Sequence, residues 1–224
     1  MELAGGKFIT GIHYTADCSR LINKDYYESF ICELMNMSAV FFDNKPITRY
    51  KDQSNGEPDF ADSTGKKYDA KLLINKNQGK KLGQDINKDI IGFFNEIMGE
   101  LTEFGDKMKR DRSLSIEETK FYKIAKERVE SCKMDENIIL FIPFPISFDM
   151  VGSVFLERAT DSAQAVYEKL KENGLIAGRE FYYVYPLRDG IHFAIRNAET
   201  RDRDYIPMPQ YQEALSFELI DSKN

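Results

Sequence analysis

Residues 67–74 most constrain what this chain can fold into, because their pattern is that of a β-strand with charged side chains on one face. Side chains alternate across a strand, so Asp69 and Lys71 are expected on the same side. The opposite face is apolar and carries Tyr68, Ala70 and Leu72. A half-buried strand rarely carries two charges without a purpose. The pattern therefore predicts either an ion pair on a solvated face or a functional site.

The same segment is the second arm of a predicted β-hairpin. Phe60 and Ala61 end the first arm, and residues 62–65, Asp-Ser-Thr-Gly, have the composition of a turn. Asp59 follows Pro58 at the start of the first arm. Two neighbouring strands therefore each supply a carboxylate, Asp59 and Asp69.

Hydrophobic periodicity predicts that helices surround this hairpin. The predicted helices cover residues 23–37, 85–104, 162–173, and a stretch opened by Ser115 that runs to about Cys132. A short apolar run at residues 39–42 precedes a turn and a returning strand at 47–50, and further strands are expected at 138–144, 181–185 and 191–196. We expect one mixed α/β domain over residues 1–224, with a core at about 24–146 and a C-terminal α/β elaboration at about 147–224.

Charge and composition exclude several classes of protein. A net charge of -6 argues against a protein that coats nucleic acid by bulk electrostatics, although a local basic strip remains compatible with it. Two histidines and the lack of a GxxxxGK[ST] or GxGxxG loop argue against histidine-metal, P-loop and dinucleotide chemistry. Three cysteines without metal-site spacing favour a reducing cytoplasm, and no apolar stretch is long enough to predict a membrane span.

The residues around the hairpin resemble the signature of the PD-(D/E)xK nuclease superfamily. The first element is Pro58-Asp59 and the second is Asp69-x-Lys71, with one helix before them and another after, in the order the family shows. The resemblance covers about residues 24–104. It implies a restriction-endonuclease-like α/β fold, a mixed central sheet flanked by helices. It also implies a metal-dependent endonuclease acting on DNA, in restriction, phage defence, recombination or repair.

The resemblance further implies a metal site at the hairpin. Asp59, Asp69 and the backbone carbonyl of Ala70 would bind Mg²⁺, with Mn²⁺ as a substitute, since Mg²⁺ prefers hard oxygen ligands. Such an ion activates water and relieves charge on the reacting phosphate. Lys71 would orient or deprotonate the attacking water. Burial and the adjacent carboxylates act on its pKa in opposite directions.

The family commonly adds a glutamate from the first helix, and two residues compete for this role. Glu28 is followed by apolar residues three and six positions later, as in the resolvase-like branch, and we favour it. Glu33 lies at the other edge of the apolar stripe. For both residues, a solvated carboxylate at the helix edge is the alternative interpretation.

Contacts with DNA are expected in the loop after the catalytic strand. Lys76, Lys80 and Lys81 lie there, and Gln84 precedes the next helix. A solvated loop is the other interpretation of these lysines. The aromatic residues at 181–185 suit either the face of a homodimer or the packing of a core.

Two other functions stay open at this level. One is a catalytically inactive module that binds nucleic acid or protein on the same fold, which the acidic net charge favours. The other is a nuclease for RNA or for single strands, because nothing in the sequence identifies contacts to a 2′-hydroxyl or a stacking platform.

Overall fold

The computed structural model describes residues 9–14, 23–50, 57–74, 92, 96–97, 99–101, 103–104, 115–143, 154–187, 190–211 and 217–221. Its strands are β1 (Ile9–Tyr14), β2 (Ile47–Arg49), β3 (Phe60–Asp62), β4 (Lys67–Leu72), β5 (Asn137–Phe141), β6 (Phe181–Pro186), β7 (His192–Asn197), β8 (Arg203–Pro207) and β9 (Phe217–Asp221). A seven-stranded mixed sheet with the order β2-β3-β4-β5-β6-β7-β8 dominates these residues. The terminal strands β1 and β9 pair with each other in a separate antiparallel ribbon.

Parallel pairing is confined to the middle of the large sheet. β4 pairs with β5 and β5 with β6 in parallel, whereas the outer pairs are antiparallel. All five residues of β5 are buried, as expected of a strand covered on both faces. The prediction of a central strand here is confirmed.

Helices cover both faces of the sheet, which gives the mixed α/β architecture. The helices with complete bounds are α1 (Lys24–Met37), α2 (Ala39–Phe42), α3 (Lys120–Glu130) and α4 (Val154–Glu172). On one face, the Phe30 ring of α1 packs against Phe141 and Phe193, with centroids 5.4 Å and 4.7 Å away. On the other face, the Tyr183 hydroxyl donates to the carbonyl of Ala163 in α4 at 2.7 Å. Lys71 pairs with Leu140, and Leu140 pairs with Tyr183. Because the side chains of paired residues point to the same face of a sheet, Lys71 points to the face that α4 covers, as Tyr183 does.

Local capping changes several of the predicted element bounds. Ser115 caps only a single 3-10 turn, Ile116–Glu118, and Thr119 caps α3 through its hydroxyl, so the predicted start of that helix is wrong by four residues. Ser38 likewise caps the apolar run at 39–42, which forms one helical turn. The C-terminal helix begins at Val154, well before the predicted residue 162.

The structure describes only part of the helix predicted at residues 85–104. The described residues between 92 and 104 are helical, in agreement with the helix expected at 85–104. β6, β7 and β8 extend the sheet that the hairpin begins. No helix among the described residues is long and apolar enough to cross a membrane.

Candidate active site

Asp59 and Asp69 meet where β3 begins beside β4. Asp59 directly precedes β3, and its Oδ2 accepts the backbone N–H of Ala70 at 2.9 Å. Asp69 lies on β4, and the two carboxyl groups hydrogen-bond to each other. Only 5% of Asp59 and 6% of Asp69 is exposed, so the interpretation as charges on a solvated face does not describe them.

The two carboxyl groups differ in their affinity for a proton. Burial, and then the hydrogen bond to Asp59 and its charge, raises the pKa of Asp69 to about 7. Burial would also raise the pKa of Asp59, but the hydrogen bond from Asp69 and the ammonium groups of Lys71 and Lys24 lower it overall. The pair therefore holds a proton up to about pH 7, far above the range in which an aspartate normally ionises, and this proton resides on Asp69 in preference to Asp59.

Lys71 is held directly against Asp69. Its Nζ donates to Asp69 Oδ1 at 2.5 Å, and a fifth of the side chain, 20%, remains exposed. Burial lowers the pKa of Lys71, but the carboxylates of Asp69 and Asp59 raise it overall. The side chain is thus an ammonium group at neutral pH, suited to donating hydrogen bonds and not to accepting a proton.

Glu28 is a buried carboxylate on α1 and is 2% exposed. Its Oε2 accepts from Nε and Nη2 of Arg49 on β2, at 3.2 Å and 2.9 Å. Its Oε1 accepts no well-oriented hydrogen bond and instead forms an ion pair with Lys24 Nζ at 3.1 Å. Burial and the charge of Asp59 raise the pKa of Glu28 against the opposing effect of these cations.

Lys24 connects Glu28 to Asp59 and was not among the predicted site residues. Its Nζ lies 3.1 Å from Glu28 Oε1 and 3.3 Å from Asp59 Oδ1. The spacing of four residues from Glu28 was a visible signal for the first contact. No local pattern signals the second contact, nor that of Arg49 with Glu28, because these partners come from separate elements.

The rival glutamate lies in a different environment. Glu33 accepts from Gln210 Nε2 at 2.6 Å and from the Tyr211 hydroxyl at 2.8 Å. These contacts tie α1 to the 3-10 turn Pro209–Tyr211. Glu28, and not Glu33, is thus the helix glutamate that the structure brings near Asp59, through their shared contact with Lys24.

The remaining predicted site residues divide into two groups. Lys76, Lys80, Lys81 and Gln84 lie outside the described residues. The aromatic side chains at 181–185 are buried within the chain, which favours core packing over an exposed dimer face. Formation of a homodimer stays a prediction.

The donor atoms suit a hard divalent cation. Within the part of the chain that the structure describes, no three His, Cys, Asp or Glu side chains stand ready as a metal group. Mg²⁺, however, is commonly bound through one or two carboxylates and several waters. Asp59 and Asp69 supply that minimum. The ammonium of Lys24 between Glu28 and Asp59 marks a position that already accommodates positive charge.

The backbone direction at Ala70 bears on its predicted role as a carbonyl ligand. The Ala70 N–H points to Asp59, and the N–H and C=O of one strand residue leave the same side of the backbone. The carbonyl is therefore directed to the edge of β4 that carries Asp59.

No protein-family model matches this chain, and neither a curated protein nor a solved structure shows significant similarity to it.

Proposed function

We propose that this chain is a metal-dependent nuclease of the PD-(D/E)xK class, with a restriction-endonuclease-like fold, that hydrolyses phosphodiester bonds in DNA. The observation that carries the proposal is the buried, hydrogen-bonded pair of Asp59 and Asp69 with Lys71 at 2.5 Å from Asp69. Keeping two carboxyl groups together in a buried position is unfavourable for stability, which is characteristic of a site selected for chemistry.

The order of elements supports the same proposal. α1 precedes the hairpin of β3 and β4, helical residues follow it, and β5 then pairs in parallel with β4. This is the succession of helix, hairpin, Asp-x-Lys strand and helix on which the resemblance rests. Lys24 on α1 contacts both Glu28 and Asp59, and so links the two carboxylates. The resemblance implies an additional carboxylate from this helix, and Glu28 is the residue that fits this role.

Each residue has a distinct role in the proposed reaction. Asp59, Asp69 and the Ala70 carbonyl would hold Mg²⁺, or Mn²⁺ in its place, and Glu28 would bind through water or directly. The bound ion supplies a water of lowered pKa and charge relief at the phosphate. Lys71, as an ammonium group, orients the attacking water and stabilises the negative charge that develops on the phosphate.

A non-catalytic binding module is the second candidate. The lack of a ready three-residue metal group among the described residues, together with the net charge of -6, favours it. A module of this kind would bind its partner without metal. Loss of Asp69 or Lys71 would leave that binding unchanged.

Cleavage assays distinguish the two candidates. Supercoiled, linear and single-stranded DNA, and RNA, are incubated with Mg²⁺, Mn²⁺ or EDTA. We expect metal-dependent cutting of DNA that Asp69→Asn and Lys71→Ala each lower by about a hundredfold or more. Cutting of only RNA, or of only single-stranded DNA, would mean that the proposed substrate, double-stranded DNA, is wrong.

Lys67→Ala is the matched control. Lys67 lies on the same strand as Lys71 and also pairs with an aspartate, Asp135, at 2.7 Å, but on the exposed surface. We expect this variant to retain the activity of the wild type. Absence of cutting on every substrate, or equal loss in Lys67→Ala and Lys71→Ala, would refute the proposed function.

A further inference from the structure

The ammonium of Lys24 occupies the side of the site that faces α1. It lies 3.1 Å from Glu28 Oε1 and 3.3 Å from Asp59 Oδ1, so one cation bridges two carboxylates that are both more than nine-tenths buried. About half of the Lys24 side chain, 52%, is exposed to solvent. A long side chain in the first turn of a helix can leave this position without disturbing the core.

The orientation of Glu28 is set from the other side. Arg49 holds Oε2 through two N–H groups, and Arg49 is fixed in turn by Asp25 at 2.6 Å and Ser29 at 2.7 Å. Oε1 is left directed to Lys24 without a well-oriented hydrogen bond. A buried carboxylate oxygen with an ion pair and no hydrogen bond is incompletely satisfied, and a closer cation ligand would satisfy it better.

Resting on the proposed function, we infer that Lys24 is a displaceable cation that competes with the divalent metal for Glu28 and Asp59. In the metal-free protein, its ammonium offsets the charge of the two carboxylates. Binding of a divalent cation at these carboxylates would displace the Lys24 ammonium to solvent. Lys24 is therefore a positioning residue that sets the affinity for the metal.

Calorimetric titration with Mn²⁺ alone tests this inference, without nucleic acid and without activity as the readout. Lys24→Met keeps the length of the side chain and removes the charge. We expect it to bind Mn²⁺ about three- to tenfold more tightly than the wild type, because no resident ammonium has to be displaced. The melting temperature of the metal-free variant should fall, and the rise on adding Mn²⁺ should be larger than in the wild type.

Lys126→Met is the matched control. Lys126 also lies on a helix and pairs with a glutamate four residues later, Glu130, at 3.7 Å, with a similar exposed fraction of 45%. Its removal changes the net charge of the protein by the same amount. We expect its affinity for Mn²⁺ to equal that of the wild type.

The outcomes separate this inference from the proposed function. If Asp69→Asn abolishes Mn²⁺ binding while Lys24→Met leaves the affinity unchanged or weakens it, the competition is refuted and the metal site stands. If Mn²⁺ binds neither the wild type nor Lys24→Met, both the proposed function and this inference fail. Tighter binding in Lys24→Met, but not in Lys126→Met, supports the competition.

Discussion

The carboxyl groups of Asp59 and Asp69 hydrogen-bond to each other in a buried position, and the pKa of Asp69 is raised to about 7 as a result of burial and of this contact. One proton is therefore held by the pair well above the pH at which an aspartate normally ionises. On the proposed function, proton release and binding of a divalent cation would be linked at this pair.

The first prediction concerns the pH dependence of metal affinity. A divalent cation needs both carboxylates ionised, so binding must release the proton of Asp69. We expect the affinity for Mn²⁺ to rise about tenfold per pH unit below pH 7 and to level off above it. Titrations between pH 5.5 and 8.5 measure this, and an affinity that is flat across pH 6 to 7 would contradict the raised pKa.

The second prediction concerns the stability of Asp69→Asn without metal. A carboxyl whose pKa is higher in the folded than in the unfolded protein favours folding at low pH, and this contribution is lost as the pH rises from about 4 to 7. At pH 8 the ionised Asp69 is therefore unfavourable, and Asp69→Asn should raise the free energy of unfolding by about 1 to 3 kcal/mol. Urea denaturation measures the change in the free energy of unfolding. We expect the same variant to lose cleavage of DNA.

The same experiment has an internal check in its pH dependence. At pH 5 Asp69 already carries its proton, so the stabilisation by Asp69→Asn should shrink or vanish. Asp135→Asn, which removes an exposed carboxylate paired with Lys67, should give no comparable gain at either pH. A variant Asp69→Asn that is less stable than the wild type at pH 8 would argue against an unfavourable charge at this position.

The third prediction concerns Arg49 as the residue that orients Glu28. Arg49→Met leaves the buried Glu28 without two hydrogen bonds, so the free energy of unfolding should fall by about 2 to 4 kcal/mol. Adding Glu28→Gln to Arg49→Met should recover part of this loss, because the uncompensated charge is then absent. Arg201→Met, which removes an exposed ion pair with Glu168, is the control and should change stability little. Strictly additive effects in the double variant would show that the two side chains are not coupled.

The fourth prediction concerns the aromatic cluster that fixes α1 on the sheet. Phe30 is 1% exposed, and its ring lies 4.7 Å to 5.4 Å from those of Phe193, Tyr211 and Phe141. Phe30→Ala should lower the free energy of unfolding by about 3 to 5 kcal/mol through the lost contacts and the cavity. Met134→Ala, at a position that is 73% exposed, is the control. Similar stabilities of the two variants would mean that the cluster does not anchor α1.

The hairpin and its neighbouring strands could be predicted because their signals are local. The turn residues at 62–65 and the alternation around Asp69 act between near neighbours, and both correspond to the pairing of β3 and β4. The capping of α3 was missed because Ser115 and Thr119 both have suitable side chains four residues apart. Only the backbone hydrogen bonds decide between a 3-10 turn and the start of an α-helix.

By itself, the sequence determined the alternating strand that carries Asp69 and Lys71, and the helix that carries both glutamates, because periodicity depends only on the local chain. Tertiary packing decided that Glu28 is linked to Asp59 through Lys24 while Glu33 contacts Gln210 and Tyr211, because both glutamates lie on α1 and the packing of this helix selects between them. It also decided that Arg49 clamps Glu28 and that Lys24 bridges to Asp59, and it joined β1 to β9 across almost the full chain. Contacts between distant segments depend on how whole elements pack, and no local pattern encodes them.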